Sequence, residues 1–100
     1  MNNNIKSIKE VFDTSSSENR KTNIGYIVAG YPDIEFTKKF LLNLDKTSID
    51  ILELGIPYSD PLADGKLISD ASFKASQAGI TTDTVFNLLL DIKGRISRPL

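Results

Sequence analysis

A parallel α/β fold is predicted by three features of this 100-residue chain. Two short apolar runs, residues 23–29 and 49–54, are continuous rather than alternating, as in strands covered on both faces. Each run is stopped by turn-forming residues, Gly30 and Pro32 after the first, Gly55 and Pro57 after the second. Helical periodicity lies before, between and after them, so the order is helix, strand, helix, strand, helix, helix. Alternating strands and helices mean parallel strands joined by right-handed crossovers. Two strands cannot make a sheet that is covered on both sides. At roughly 30 residues per strand–helix unit, eight units need about 250 residues, the usual size of a (β/α)8 TIM barrel. The sequence therefore reads as the N-terminal portion, residues 1–100, of a single TIM-barrel domain, holding an N-terminal helix and the first two strand–helix units of a longer chain.

The elements follow in order. Ile5, Ile8 and Phe12 are spaced i, i+3, i+7 on one face of a short cap helix whose other face carries Lys6, Lys9, Glu10 and Asp13. Residues 14–21, with three consecutive serines, have nothing to bury and read as a surface connection. The first strand follows. Asp33 suits the exposed N–H groups at a helix start, and Ile34, Phe40, Leu41 and Leu44 give that helix its apolar stripe. The second strand carries one mid-strand charge, Glu53. After a long polar connection over residues 55–65, Ile68, Ala71, Ala75 and Ala78 mark a helix that stops at Gly79. Thr81 is placed to cap a further helix with Val85, Leu88, Leu89 and Ile92 on one face, ended by Lys93, Gly94 and Arg95. Pro99 and Leu100 read as the entrance to a third strand.

Composition removes several functions. Twelve Lys and Arg against thirteen Asp and Glu leave a formal charge of −1, without the basic excess that attracts nucleic acid or anionic lipid. With no Cys and no His, thiolate metal sites, thiol nucleophiles and imidazole bases are all absent, and acid–base chemistry falls to carboxylates, Tyr or Lys. No apolar stretch resembles a signal peptide or approaches the ~18 residues of a membrane span. The chain reads as cytoplasmic. There is no G-x-G-x-x-G or Walker-type loop, so nucleotide binding is not supported. Asp60, Asp64 and Asp70 lack the spacing of an EF-hand. Lys38 and Lys39 read as a solvated helix face.

Glu53 is the most informative position. It shares a strand face with Ile49 and Ile51 near the C-terminal end, where barrel enzymes keep their catalytic groups, and partial desolvation there would raise its pKa as a general acid needs. The alternative is a Glu that turns to solvent or pairs with a Lys of another unit. The loop over residues 57–65 is longer than most and fits a lid or docking surface as well as it fits a pair of tight turns at Asp60-Pro61 and Asp64-Gly65. Tyr31 lines the mouth or covers its rim.

The strings Ala29-Gly30-Tyr31-Pro32-Asp33 and Leu52-Glu53-Leu54-Gly55-Ile56-Pro57-Tyr58-Ser59-Asp60-Pro61-Leu62-Ala63-Asp64-Gly65 resemble the alpha-subunit family of tryptophan synthase. The second string matches the family signature throughout its fourteen positions. The resemblance implies a (β/α)8 barrel that cleaves indole-3-glycerol phosphate to indole and glyceraldehyde 3-phosphate by a retro-aldol step. It implies that Glu53 is the acid–base group at indole C3 and the glycerol hydroxyl, and that Asp64 accepts the indole N–H, where positive charge develops. Tyr26 corresponds to a position, often Phe, that contacts the indole ring. Pro57, Tyr58, Ser59 and Asp60 correspond to the stretch that docks on the beta subunit in an alpha2-beta2 complex. Pyridoxal phosphate belongs to that beta subunit, and the alpha subunit needs no cofactor. Lys66-Leu67 depart from the family, which usually has Pro after the Asp-Gly pair, so the following helix loses a φ-fixing residue at its start. The phosphate-binding turns of the family fall after Leu100. Two other readings are a non-catalytic subunit that docks on and activates a partner, and another phosphosugar-processing barrel, although such barrels generally rely on His and metal. Residues 1–100 alone are expected to be inactive.

Overall fold

A computed structural model describes residues 5–57 and 65–100. The element order is α1 (Ile8–Ser17), β1 (Ile24–Val28), α2 (Ile34–Leu42), a 3-10 turn (Leu44–Lys46), β2 (Ile51–Gly55), α3 (Lys66–Gln77) and α4 (Thr82–Ile92). The predicted alternation is present, with the 3-10 turn added before β2. Among the described residues β1 and β2 form a two-stranded parallel sheet, pairing Ile24 with Ile51, Tyr26 with Glu53 and Val28 with Gly55.

Local chemistry explains where the helices start. Ser7 and Glu10 make a reciprocal capping box, the Ser7 hydroxyl accepting from the Glu10 N–H at 3.1 Å and the Glu10 carboxylate accepting from the Ser7 N–H at 3.0 Å. The Asp33 carboxylate accepts from the Phe36 N–H at 2.8 Å and opens α2 as expected. Thr81 and Thr84 cap α4 in the same reciprocal way. α3 starts at Lys66 behind Gly65 with no side-chain cap, and Lys66 pairs with Asp70 one turn on at 2.9 Å. The absent proline therefore does not prevent the helix from starting there.

Four expectations need correction. α1 runs on through Ser15–Ser17, which had read as a surface connection; the Ser17 hydroxyl donates at 2.9 Å to the Thr14 carbonyl, which also accepts from the Glu18 N–H at 3.0 Å, so the polar side chain bonds back onto the last turn. The buried residues of α1 are Val11 and Ser15, whereas Ile8 and Phe12 stay about half exposed, because the described elements lie under only one edge of this helix. β2 does not break at Gly55: its carbonyl accepts from the Ala29 N–H at 2.9 Å and the strand pairing includes it. Lys38 is not merely solvated, since it reaches Asp91 at 2.7 Å and ties α2 to α4.

The main core cluster lies on one side of the sheet. Leu41, Leu44, Leu52, Leu88, Ile92 and Ile96 form one buried cluster, with Ile27 and Leu54 packed against it. Strand geometry puts Leu52, Leu54 and Ile27 on the helix-facing side and Ile24, Tyr26 and Glu53 on the other. Each fully buried Leu or Ile contributes about 1.5–3 kcal/mol through its removal from water, which fixes the register, because a one-residue slip would turn Leu52 outward. The other face is covered only in part: Val28 and Ile51, which alternation places there, are buried. Ile24, Tyr26 and Glu53 are exposed, since no described element packs over them.

Two contacts at the end of the chain complete this frame. The Leu52 N–H donates to the Pro99 carbonyl at 3.0 Å, on the edge of β2 away from β1. The Arg98 guanidinium donates to the carbonyls of Leu44, Thr47, Ile49 and Asp45 at 2.6–2.9 Å. The reading of Pro99 as a strand entrance agrees with this placement. No helix among the described residues is long and apolar enough to cross a membrane.

Candidate active site

The open face of the sheet carries the residues of chemical interest. Parallel pairing puts Tyr26 directly beside Glu53 at the middle of both strands, with side chains projecting to the same side. Glu53 is exposed and is the central residue of the five in β2 rather than near its C-terminal end, because the strand continues to Gly55. The desolvation expected of it is not supplied by the described residues, which build a single wall. Both earlier readings of Glu53 predict a side chain on this face, and the structure gives it no ion-pair partner among the described residues.

Tyr26 does not stand straight up from β1. A Cβ built on Gly55 would collide with the Tyr26 hydroxyl and would stand 2.6 Å from Cζ and 3.3 Å from Cε2. The ring therefore leans along the strand direction and across β2, over the Cα of the residue two places after Glu53. Gly55 had read only as a breaker. The signal that marks it is the strand period, which places residues 53 and 55 on one face, one step diagonally from position 26.

The turn after β1 is tightly specified. Gly30 has φ +84°, and the Ile80 side chain fills the space where a Cβ would sit, with Cγ1 at 2.6 Å. The Gly30 N–H donates to the buried Thr37 hydroxyl at 2.8 Å, and the Tyr31–Pro32 peptide is cis. Tyr31 is exposed, at the edge of a groove shared with Phe36 and Ile68. Periodicity gave no notice of Thr37, a polar residue at a core position of α2, and a buried threonine in an apolar stripe is the feature that would have flagged it.

Pro57 is buried two residues past β2. Tyr58, Ser59, Asp60 and Asp64 lie outside the described residues, so the structure brings together Tyr26, Glu53 and Gly55 and leaves the rest of the expected constellation undescribed. Among the described residues, grooves lie elsewhere. One of about 450 Å³ runs between the β1–α2 turn and α3, lined by Ile27, Tyr31, Phe36 and Ile68, and one of about 640 Å³ lies between residues 5–8 and α4.

Comparison with known proteins agrees with this arrangement. A family model described as tryptophan synthase alpha chain matches residues 12–100. The tryptophan synthase alpha chain of Petrotoga mobilis is 45% identical over 96 residues, which are 96% of this chain and 35% of that one. That of Synechococcus elongatus is 44% identical over 96 residues, 96% of this chain and 36% of that one. Among solved structures, tryptophan synthase subunit alpha from Campylobacter jejuni superposes with a TM-score of 0.73 at 38% identity, covering 92% of this chain and 35% of that chain. An aminoacrylate-bound form of tryptophan synthase from M. tuberculosis gives 0.81 at 33% identity, covering 92% and 38%. The chain spans about a third of the length of the curated relatives it matches. The match over residues 12–100, the identities and the superposed strands and helices have one reading: the chain belongs to the tryptophan synthase alpha chain family, and its two strand–helix units are the N-terminal part of that family's (β/α)8 barrel.

Proposed function

We propose that an alpha chain of full family length carrying this segment cleaves indole-3-glycerol phosphate to indole and glyceraldehyde 3-phosphate, with Glu53 as the acid–base group. The observation that carries the reading is the position of Glu53 on the open sheet face beside Tyr26, within the Leu52–Gly65 string. A proton delivered to indole C3 makes that carbon tetrahedral and spreads positive charge toward the ring nitrogen. Removal of the glycerol hydroxyl proton then drives formation of a carbonyl as the C–C bond breaks and its electron pair returns to the ring. A carboxylate suits both transfers, because it can donate in one step and accept in the next. Asp64 is proposed to accept the indole N–H, stabilising charge where it develops, and Tyr26 to present its ring face to the indole.

The partner is proposed to be the tryptophan synthase beta subunit, docked through Pro57, Tyr58, Ser59 and Asp60 in an alpha2-beta2 complex. Pyridoxal phosphate is assigned to that subunit and no cofactor to this chain. Family membership does not favour the reading as an unrelated phosphosugar barrel, and Glu53 together with Asp64 favours an enzyme over a purely docking subunit. The test is indole release by the full-length alpha chain with the beta subunit present, wild type beside Glu53→Gln, which keeps size and loses the titratable proton. Collapse of release with the complex still assembled is the expected result. Equal turnover by both proteins would remove Glu53 from the mechanism, and no turnover by either would favour a docking role.

A further inference from the structure

We infer that Gly55 is a positioning residue for the substrate ring, acting through Tyr26: the missing side chain at position 55 is what lets the Tyr26 ring lie across β2 and form the floor beside Glu53. The inference deepens the lyase reading and rests on it for the identity of the ring that sits there. Gly55 has no left-handed φ that would call for glycine on conformational grounds, and it pairs as an ordinary strand residue with Val28. Its glycine is required by space alone. The nearest atoms to a Cβ at this position are three atoms of one side chain, Oη, Cζ and Cε2 of Tyr26.

Which of the two would yield is decided by how each is held. The backbone of β2 is fixed by the wholly buried Leu52 beneath it and by the Ala29 N–H that donates to the Gly55 carbonyl at 2.9 Å. Tyr26 is 43% exposed and turns about two side-chain torsions. A methyl group at position 55 would therefore leave the strand in place and drive the ring off it. The ring would then rise into the space above Glu53, where a flat aromatic substrate has to lie. A substitution two residues past the strand centre would in this way change ring binding without touching the carboxylate. The same geometry limits the ligand: the floor formed by the Tyr26 ring, with its hydroxyl end over Gly55, is flat, and it suits a planar aromatic ring in contact with a second one.

The experiment is a double-mutant cycle in the full-length alpha chain with its beta subunit, using Gly55→Ala, Tyr26→Leu and the two together. Indole release is read as kcat and KM, and binding of indole itself is titrated in parallel. Gly55→Ala is expected to raise KM and weaken indole binding about tenfold, with kcat within threefold. In the Tyr26→Leu background, where no ring occupies the space over residue 55, adding Gly55→Ala is expected to change both by less than twofold. An equal loss in the two backgrounds would overturn the inference, because the glycine would then serve the strand or the loop after it. No loss in either background would overturn it as well. If the wild type binds indole and shows the same coupling in the binding titration but releases none from indole-3-glycerol phosphate, the lyase reading fails and the positioning role stands. Melting curves of the four proteins identify a variant that is merely unfolded, and coupling confined to those curves, with binding unchanged, would count against the inference.

Discussion

The backbone N–H of Leu52 points away from β1 and donates to the Pro99 carbonyl at 3.0 Å, while the N–H of its neighbour Ile51 turns to the Asn23 carbonyl on the β1 side at 3.2 Å. Alternation of this kind is what a strand flanked by two parallel neighbours shows. Residue 98 is held beside it by the Arg98 fork on four carbonyls around the 3-10 turn, a geometry that a single ammonium cannot reproduce. The far edge of β2 is thus paired at its start and open beyond it.

Residues 1–100 on their own are accordingly predicted to be inactive and to lack cooperative folding. A two-stranded sheet with one open face leaves unpaired edges and half a core, and Tyr26, Ile24 and Phe12 remain exposed. Far-UV circular dichroism on heating should show a broad, shallow change. A sharp transition in a monomeric sample, or indole release by these residues alone, would contradict the prediction.

Acid sensitivity should be traceable to Asp50. Its carboxylate accepts from the Arg20 guanidinium at 3.0 Å and from the Asn23 N–H at 2.8 Å, and the guanidinium first, then the backbone donor, holds it below the ordinary carboxylate range. A folded-state value below the unfolded one, about 3.9, means that the ionised form stabilises the fold. That contribution is complete above about pH 5 and is lost as the pH falls below about 4 and through the folded-state value. Asp50→Asn in the full-length chain keeps an acceptor for the Asn23 N–H but loses the charge. It should cost about 1–2 kcal/mol at pH 7, and its urea midpoint should fall less steeply than that of the wild type between pH 5 and pH 3. Parallel acid limbs would show that the pair is not coupled to folding.

Much of this frame is legible in the sequence because it is local. Asp33 and Thr81 announce helix starts through the chemistry of their own side chains, and Leu88 and Ile92 reach the core their spacing predicts. What periodicity does not carry is the relation between strands. Gly55 looks like a stop signal along the chain and becomes a cradle only once β1 lies beside β2. The same holds for Arg98, whose partners are 49–54 residues away, and for Ser15, buried because of what α1 lies against rather than because of its own polarity. The acid–base assignment of Glu53 came from the fourteen-residue string and not from its place on the strand, which allowed a solvated carboxylate equally well.

Asp64 offers the sharpest chemical prediction of the proposed mechanism. Protonation of indole C3 moves positive charge toward the ring nitrogen, so a carboxylate accepting the N–H gains strength as the transition state forms and does little for the ground state. Asp64→Asn keeps the size and leaves a carbonyl oxygen to accept the N–H, but removes the full negative charge. Loss of such an electrostatic stabiliser costs about a hundredfold or more in turnover. The drop should fall on kcat, with KM changed far less, since an interaction realised mainly in the transition state is removed. Assembly with the beta subunit should be intact, because position 64 lies outside the stretch from Pro57 to Asp60 proposed to dock. Steady-state indole release and sedimentation of the complex check the two halves separately. Near-normal kcat would take Asp64 out of the mechanism, and a variant that lost both turnover and assembly would place Asp64 in the docking surface instead.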